Sequence, residues 1–479
     1  MPQSLVLNRS NGHIVRFDGR AMLFHVPTSA LFELDALGDA LIGEAENGGM
    51  LDAGTLAGVL GQRFGEAEVA GLLERLTTLG VLQPAEGVAA INAKRVDVQA
   101  YPLSTIVLNV NTGCNLGCTY CYKEDLATPA RGEKMGFEVA AKSVDLLLRQ
   151  SVGRKRIGVV FFGGEPLTNV GLIREVVAYA EQRAAEAGRQ VDFSVTTNGT
   201  LLDEATIDWF DEHRFGITVS MDGPKVIHDR NRRTVGNRGT YDVVARKARL
   251  LLSRYRSKQV GARVTLTRGT TEVEAIHAHL RDGIGFHEVG YAPVTSAEKA
   301  AHALTPEELT AVHEGFERLG GQYLAAALRG ENTGFSNLHQ LMTDLHEGRR
   351  KALPCGAGVG LLAVDRSGGL NLCHRFTGSE LPTFGTVDEG IDAGRLGGFL
   401  GRAADRDGTW CATCRIRNLC AGGCYHESYA RHGDPLARTY HYCNLLRRWV
   451  DFGIRVYVEI GARNPAFFPR HIEPRRVDA

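Results

Sequence analysis

Thr105-Ile-Val-Leu-Asn-Val110-Asn-Thr-Gly-Cys114-Asn-Leu-Gly-Cys118-Thr-Tyr-Cys121-Tyr122 is the stretch on which the reading of this chain turns. Ile106–Val110 is a short apolar run of the kind that forms a buried strand. It opens into a loop carrying Cys114, Cys118 and Cys121 at x3 and x2 spacing. Three thiolates on one short loop can bind three irons of a 4Fe–4S cube, because soft sulfur ligands select iron–sulfur clusters or zinc. The fourth iron then lacks a protein ligand and stays open to a small molecule. A zinc site with a distant fourth ligand is the plainer alternative, but zinc knuckles favour paired Cys-x2-Cys. Three buried structural cysteines fit less well, since Gly113 and Gly117 suit a wrapped loop better than a core.

The same texture repeats downstream. Ile157–Phe162, Val191–Thr197, Gly216–Met221, Ala262–Leu266 and Val289–Val294 read as further strands. Helical patterns lie between them, such as Ala140, Val144, Leu147 and Leu148 on one face. Six βα repeats predict parallel strands with helical crossovers, hence an α/β fold built on a partial (β/α)6 TIM-type barrel over residues 101–305. Reactive groups collect at the carboxyl ends of such strands. Gly163-Gly164-Glu165-Pro166 follows the second strand, Thr196-Thr197-Asn198-Gly199 ends the third, and Ser220-Met-Asp222-Gly223 ends the fourth. Two glycines let a backbone approach a ligand, and Glu165 can pair with an ammonium.

The cysteine spacing and the order of these strand-end motifs resemble the radical S-adenosylmethionine (SAM) superfamily. The resemblance implies that Cys114, Cys118 and Cys121 hold the radical-initiating cluster. It implies further that Gly163, Gly164, Glu165 and Pro166 hold the methionine amino group of SAM, and that Thr197, Asn198, Ser220 and Asp222 lie along its ribose and carboxylate. Arg263 on the fifth strand could clamp the carboxylate, and Tyr120 matches the aromatic that stacks near the adenine. For Tyr120 the bland alternative is ordinary packing.

All seven remaining cysteines lie between Cys355 and Cys443, in the series Cys355-x12-Gly368-x4-Cys373, Cys411-x2-Cys414-x5-Cys420-x3-Cys424 and Cys443. This resembles the SPASM extension of radical enzymes that modify peptides. By that resemblance Cys411, Cys414, Cys420 and Cys443 hold one auxiliary 4Fe–4S cluster, and Cys355, Cys373 and Cys424 hold another, for three clusters in all. A zinc ribbon is the alternative for the Cys-x2-Cys pair. Some relatives add a cysteine where this chain has Leu361, so one auxiliary iron is open or takes a ligand such as Asp365 or His374. Asp405, Asp407 and His374 are candidate bases for a substrate thiol, although each is more often a solvated loop residue.

Residues 1–85 read as a separate module. Ile14–Phe17 and Met22–Val26 flank Asp18-Gly19, a hairpin-turn pair. Thr28 precedes a helical pattern of Leu31, Leu34, Leu37 and Leu41, followed by helices around Leu56–Phe64 and Val69–Leu76, with Gly80 placed to end the last. A hairpin with three helices suggests a winged-helix-like module. It resembles the recognition element of ribosomal peptide maturases, which binds a leader peptide as an added strand. A DNA-binding winged helix would need a basic recognition helix, and Leu56–Phe64 has only Arg63. Residues 86–100 read as a linker, 306–350 as a helical connector, 351–450 as the C-terminal SPASM domain, and 451–479 as a tail whose Arg470, Arg475 and Arg476 are solvated.

Lysine plus arginine equals aspartate plus glutamate at 55 each among 479 residues, which argues against nucleic acid or an anionic membrane as partner. No apolar run reaches the length of a membrane span and no signal pattern opens the chain, so a cytoplasmic location is expected, where ten cysteines act as ligands or catalysts. Across residues 1–450 the resemblance is closest to the family that matures quinohemoprotein amine dehydrogenase, with Leu23-Phe-His-Val-Pro-Thr-Ser-Ala-Leu-Phe-Glu-Leu34 contributing. That implies thioether crosslinks from cysteine sulfur to Asp or Glu methylenes of a small subunit, driven by an electron donor such as flavodoxin or ferredoxin. Maturases joining sulfur to α-carbons look similar. Anaerobic sulfatase maturases share the clusters but generally lack a front domain. A non-catalytic metal-binding scaffold is the reading from another class.

Overall fold

A computed structural model of the chain describes residues 4–85, 102–122, 132–295, 300–437 and 441–472. The expected linker lies outside them, as do Arg475 and Arg476.

The front module holds β1 (Ser4–Leu7), β2 (Gly12–Phe17), β3 (Arg20–His25), β4 (Ala30–Leu34), α1 (Ala36–Gly48), β5 (Leu51–Asp52), α2 (Ala53–Phe64), α3 (Glu66–Thr78) and β6 (Leu82–Pro84). Asp18 and Gly19 both take positive φ, 48° and 75°, as the tight β2–β3 turn requires. The expected first helix from Thr28 is corrected. Ala30–Leu34 pairs antiparallel with β3 as a third strand, and the helix starts only at Ala36, where Asp35 accepts from the Gly38 amide at 2.7 Å. Leu31 and Leu34 fit the helical spacing, but an aspartate cap outcompetes Thr28 as the start.

The pleat sends alternate side chains of β3 to opposite faces. Leu23 joins a small core with Leu41, Leu56 and Leu73, whereas Met22 and Phe24 join the main core of the chain. Arg417 hydrogen-bonds Asn11, and Asn418 donates to the Val26 carbonyl, locking the module onto later residues.

The barrel strands are β7 (Thr105–Asn109), β8 (Arg156–Phe162), β9 (Gln190–Thr197), β10 (Gly216–Ser220), β11 (Val260–Leu266) and β12 (Glu288–Pro293). They pair in parallel in chain order, as expected. Between them run α4 (Phe137–Gln150), α5 (Val170–Glu186), α6 (Glu204–Glu212), α7 (Lys225–Asn231), α8 (Tyr241–Arg254) and α9 (Val273–Ala278). Ala140, Val144 and Leu147 are the buried face of α4.

The boundary at residue 350 cuts through this sheet. β13 (Leu361–Val364) pairs in parallel with β7 and turns into β14 (Leu370–Asn371), so the C-terminal region extends the barrel sheet beyond its first strand. The connector contains α10 (Pro306–Leu328) and α11 (Ser336–His346), followed later by α12 (Ala393–Ala404), α13 (Arg417–Cys420) and α14 (Tyr425–His432). The supposed tail from residue 451 is the second half of α15 (Cys443–Arg463), followed by α16 (Phe467–His471). Helix α15 docks through glycines: a Cβ at Gly453 would lie 2.2 Å from Leu341, and one at Gly320 2.3 Å from Phe452. Val450, Ile454 and Val458 bury one face of α15 at i, i+4 spacing. No helix among the described residues is long and apolar enough to cross a membrane.

Candidate active site

The loop after β7 is held by the strand-end motifs rather than by its own cysteines. Gly164 donates to the Asn111 carbonyl at 2.8 Å, and the Glu165 amide donates to the Gly113 carbonyl at 3.1 Å. A Cβ at Gly163 would lie 2.3 Å from the Asn111 oxygen, and one at Gly164 2.1 Å from the Gly113 oxygen. The two glycines are therefore needed for close approach to the cysteine loop itself, not only to a ligand. Pro166 opens the short turn that follows.

Glu165 is fully buried. Its carboxylate accepts from the Leu167 amide (3.0 Å), the Thr197 hydroxyl (2.7 Å) and the Asn198 amide (2.7 Å), tying the end of β8 to that of β9. Burial holds its pKa above the ordinary carboxylate value, against these donors. The expected ammonium acceptor is thus first a structural tie. Asn198 reaches back to the loop, with its amide nitrogen 3.7 Å from the Cys114 sulfur and 2.9 Å from Asn115.

At the end of β10, Tyr120 donates to Asp222 at 2.6 Å, and Arg232 donates to the Tyr120 hydroxyl at 2.6 Å. Asp222 and Arg232 are buried, 4.0 Å apart. Burial raises the Asp222 pKa while Arg232 opposes it. Tyr120 is therefore anchored through its hydroxyl. Arg232, which sequence reasoning missed, is the cation that also interacts with Cys118. Its signal was present as Asn231-Arg232-Arg233, a polar run at the end of α7, the helix that follows β10. The Arg232 Nε is buried with no partner among the described residues.

His228 underlies this network. The Asp222 amide donates to its Nδ1 at 3.4 Å, and its Nε2 meets Thr240 at 3.0 Å. Thr240 spends its own proton on the Arg232 carbonyl at 2.7 Å, so Nε2 carries the imidazole hydrogen. Burial, then Arg232, push the His228 pKa down to about 3 from 6.5. A depressed pKa gives stability that is present above pH 6.5 and lost as pH falls towards the folded value. Urea midpoints should drop on acidification through that window, and His228→Gln should flatten the dependence. An equally steep dependence in the variant would assign it elsewhere.

A cavity of about 480 Å³ lies at the carboxyl ends of the strands. Cys114, Cys118, Cys121, Tyr120, Gly163, Gly164, Glu165, Thr197, Asn198, Ser220 and Arg263 all line it. The C-terminal region also contributes to its lining, through His374 and Arg375. His374 stacks on Phe162 at 4.1 Å, and Arg375 sits 4.6 Å over the Tyr122 ring while donating to Thr295 at 2.9 Å. Tyr122 is near enough to interact electrostatically with Cys121, Cys373 and Cys424.

Cys411, Cys414, Cys420 and Cys443 line a second cavity of about 300 Å³. Cys355 interacts with both Cys424 and Cys373. None of the ten cysteines forms a disulfide. Among the described residues no three His, Cys, Asp or Glu converge as a single ion requires. Sulfurs set around a cavity suit a multi-iron cluster better than one zinc. Burial pushes Cys114 up to about 12 and Cys118 up to about 11, which favours the protonated thiol.

Two candidate bases are corrected. Asp405 ends α12 and accepts from the Asp407 amide at 3.0 Å in an exposed turn, and neither lines the central cavity. Asp365, the candidate cluster ligand, accepts from Ser367, Gly369 and Asn371 to shape the turn between β13 and β14. His374 alone of these groups faces the cavity.

The barrel thus carries a three-cysteine loop at the top of its first strand, with the strand-end motifs gathered around it. Residues 108–281 match the Radical SAM superfamily. The chain is similar to a cysteine-type anaerobic sulfatase-maturating enzyme of Clostridium perfringens, with 34% identity over 153 residues, 31% of this chain and 40% of that protein. It spans well under two thirds of that relative's length. It is also similar to a serine-type anaerobic sulfatase-maturating enzyme of Klebsiella aerogenes, at 24% over 405 residues, 74% of this chain and 88% of that one. In fold it is similar to anSMEcpe with bound AdoMet (TM-score 0.65, 21% identity, 75% of this chain and 100% of that one). It is likewise similar to Streptococcus suis SuiB bound to precursor peptide SuiA (TM-score 0.51, 15% identity, 92% and 99%).

Proposed function

We propose that this chain is a radical SAM maturase acting on a cysteine-containing peptide or small protein subunit. The favoured reaction joins the cysteine sulfur to an Asp or Glu methylene carbon, as in maturation of a quinohemoprotein amine dehydrogenase. One observation carries the reading: the first cysteine loop and the two residues after Cys373, His374 and Arg375, line one and the same cavity. Cys114, Cys118 and Cys121 would hold the radical cluster, Cys411, Cys414, Cys420 and Cys443 one auxiliary cluster, and Cys355, Cys373 and Cys424 the other. When bound, the first cluster with SAM supplies hydrogen abstraction from an unactivated carbon. The residues of the chain bind and orient. Glu165 fixes two strand ends, Arg232 presents a cation beside Cys118, and His374 is the titratable side chain placed to take a thiol proton. A flavodoxin or ferredoxin in the cytoplasm would deliver the electron.

Conversion of cysteine or serine to formylglycine is the second reading, favoured by the names of the curated relatives. Mass spectrometry of a peptide coexpressed with the chain separates the two for a cysteine substrate. A thioether loses two hydrogens and keeps sulfur; formylglycine made from cysteine loses the sulfur. An unmodified peptide despite full SAM turnover would sink both.

For leader binding, β3 is unavailable because β2 and β4 flank it, leaving β4 as an outer strand of the sheet. Phe32 on that strand is 42% exposed. Phe32→Glu is expected to raise the peptide KM about tenfold through a lost apolar contact. An unchanged KM would place the leader elsewhere.

A further inference from the structure

The front module meets the C-terminal region along the stretch that joins two of its cysteines. Five residues separate Cys414 from Cys420. Arg417 donates to the Ser10 carbonyl and, at 3.2 Å, to the Asn11 side chain. Asn418 donates to the Val26 carbonyl at 2.6 Å. Arg415 donates to one oxygen of Asp451 at 2.7 Å, and the other oxygen lies 2.7 Å from His13 Nε2. Asp451 sits on α15, the helix that opens with Cys443. Ile416 and Leu419, the remaining two, are buried in the core that also takes Met22 and Phe24 of β3. Cys414 itself lines both the four-cysteine cavity and a cleft of about 730 Å³ shared with Gly12 and His13.

Arg417 is the side chain common to the two sides. It is buried, and it bonds the module through Ser10 and Asn11 and the cysteine loop through the Cys414 carbonyl at 3.4 Å. All three of these acceptors are neutral. Burial, then Arg406, hold its pKa below the ordinary guanidinium value, while Cys414 opposes the shift. A buried cation on neutral acceptors is costly unless a negative charge stands nearby. Metal loading supplies one, because a coordinating thiol is deprotonated. We propose that the front module has a second function beside leader binding: it forms one wall of the four-cysteine site, so that docking of the module and loading of Cys411, Cys414, Cys420 and Cys443 stabilise each other. This rests on the three-cluster reading above. An interface that merely packs would leave iron binding indifferent to the module's half of these bonds.

The test reads iron release to ferrozine from the anaerobically reconstituted full chain, without turnover. The variant is Asn11→Ala combined with His13→Ala, which alters the module and none of the cysteine loop. About four of about twelve irons are expected to leave roughly 10- to 100-fold faster, the range for a lost hydrogen bond to a charged donor. Arg20→Ala is the control, since its contact with Glu459 on α15 at 3.5 Å ties the same module to residues away from the loop. It should release iron at the unchanged rate. The converse arm leaves the module intact: Cys411→Ala with Cys443→Ala should speed hydrogen exchange of the β2 amides by a similar factor. Unchanged iron release in the module variant, or unchanged β2 exchange in the cysteine variant, would overturn the inference. Equally fast release in Arg20→Ala would mark general loosening of the module and overturn it as well. An unaltered chain that never takes up these four irons would sink the cluster reading itself, whereas full uptake with indifferent variants sinks only the wall.

Discussion

Replacing Cys114, Cys118 and Cys121 together with alanine is expected to abolish SAM cleavage and to lower iron from about twelve to about eight per chain. The expectation follows from how separately the three cysteine groups are built. The first loop is positioned by Asn111, Gly163, Gly164 and Glu165, all from the barrel. The four cysteines of the second cavity belong to the C-terminal region, on α13, on the start of α15 and on the loop before them. Loss of one site should leave the other two loaded. Iron and 5′-deoxyadenosine measured on the same sample decide the matter. A triple variant that still cleaves SAM would mean that the radical cluster lies elsewhere.

A second large effect is expected from Arg232→Met. The change removes the cation facing Asp222, whose side chain is 1% exposed, and takes a donor from Tyr120. Breaking a buried ion pair from one side costs about 3–5 kcal/mol, because the remaining charge is left uncompensated. The urea midpoint should fall accordingly, and Arg232→Met combined with Asp222→Asn should recover much of the loss by removing that charge. Equal destabilisation in the single and double variants would show that packing of the guanidinium, rather than charge balance, is what matters.

The barrel was legible because each strand is a short apolar run, and because parallel strands buried on both faces read as such runs. The cofactor-side residues were legible for a related reason: strand ends converge, so Glu165, Thr197, Asn198 and Ser220 had to meet. What escaped depends on contacts between distant segments. Leu361–Val364 is too short to announce that it pairs with β7, and Ala30–Leu34 carries leucines at helical spacing while pairing as a strand. Arg232 and Arg375 gain meaning from Tyr120 and Tyr122, which lie far away in sequence. Asp405 and Asp407 drew notice by standing close to Cys411, but proximity along the chain put them on an exposed turn.

The most direct test of the radical SAM maturase reading is to reconstitute the full chain anaerobically, reduce it with dithionite, and follow SAM in the presence of a cysteine-containing peptide deuterated at its Asp and Glu methylenes. The account predicts 5′-deoxyadenosine that carries deuterium from the peptide. A protein with its full iron complement that yields no 5′-deoxyadenosine, or yields it without deuterium while the peptide is modified, would contradict it.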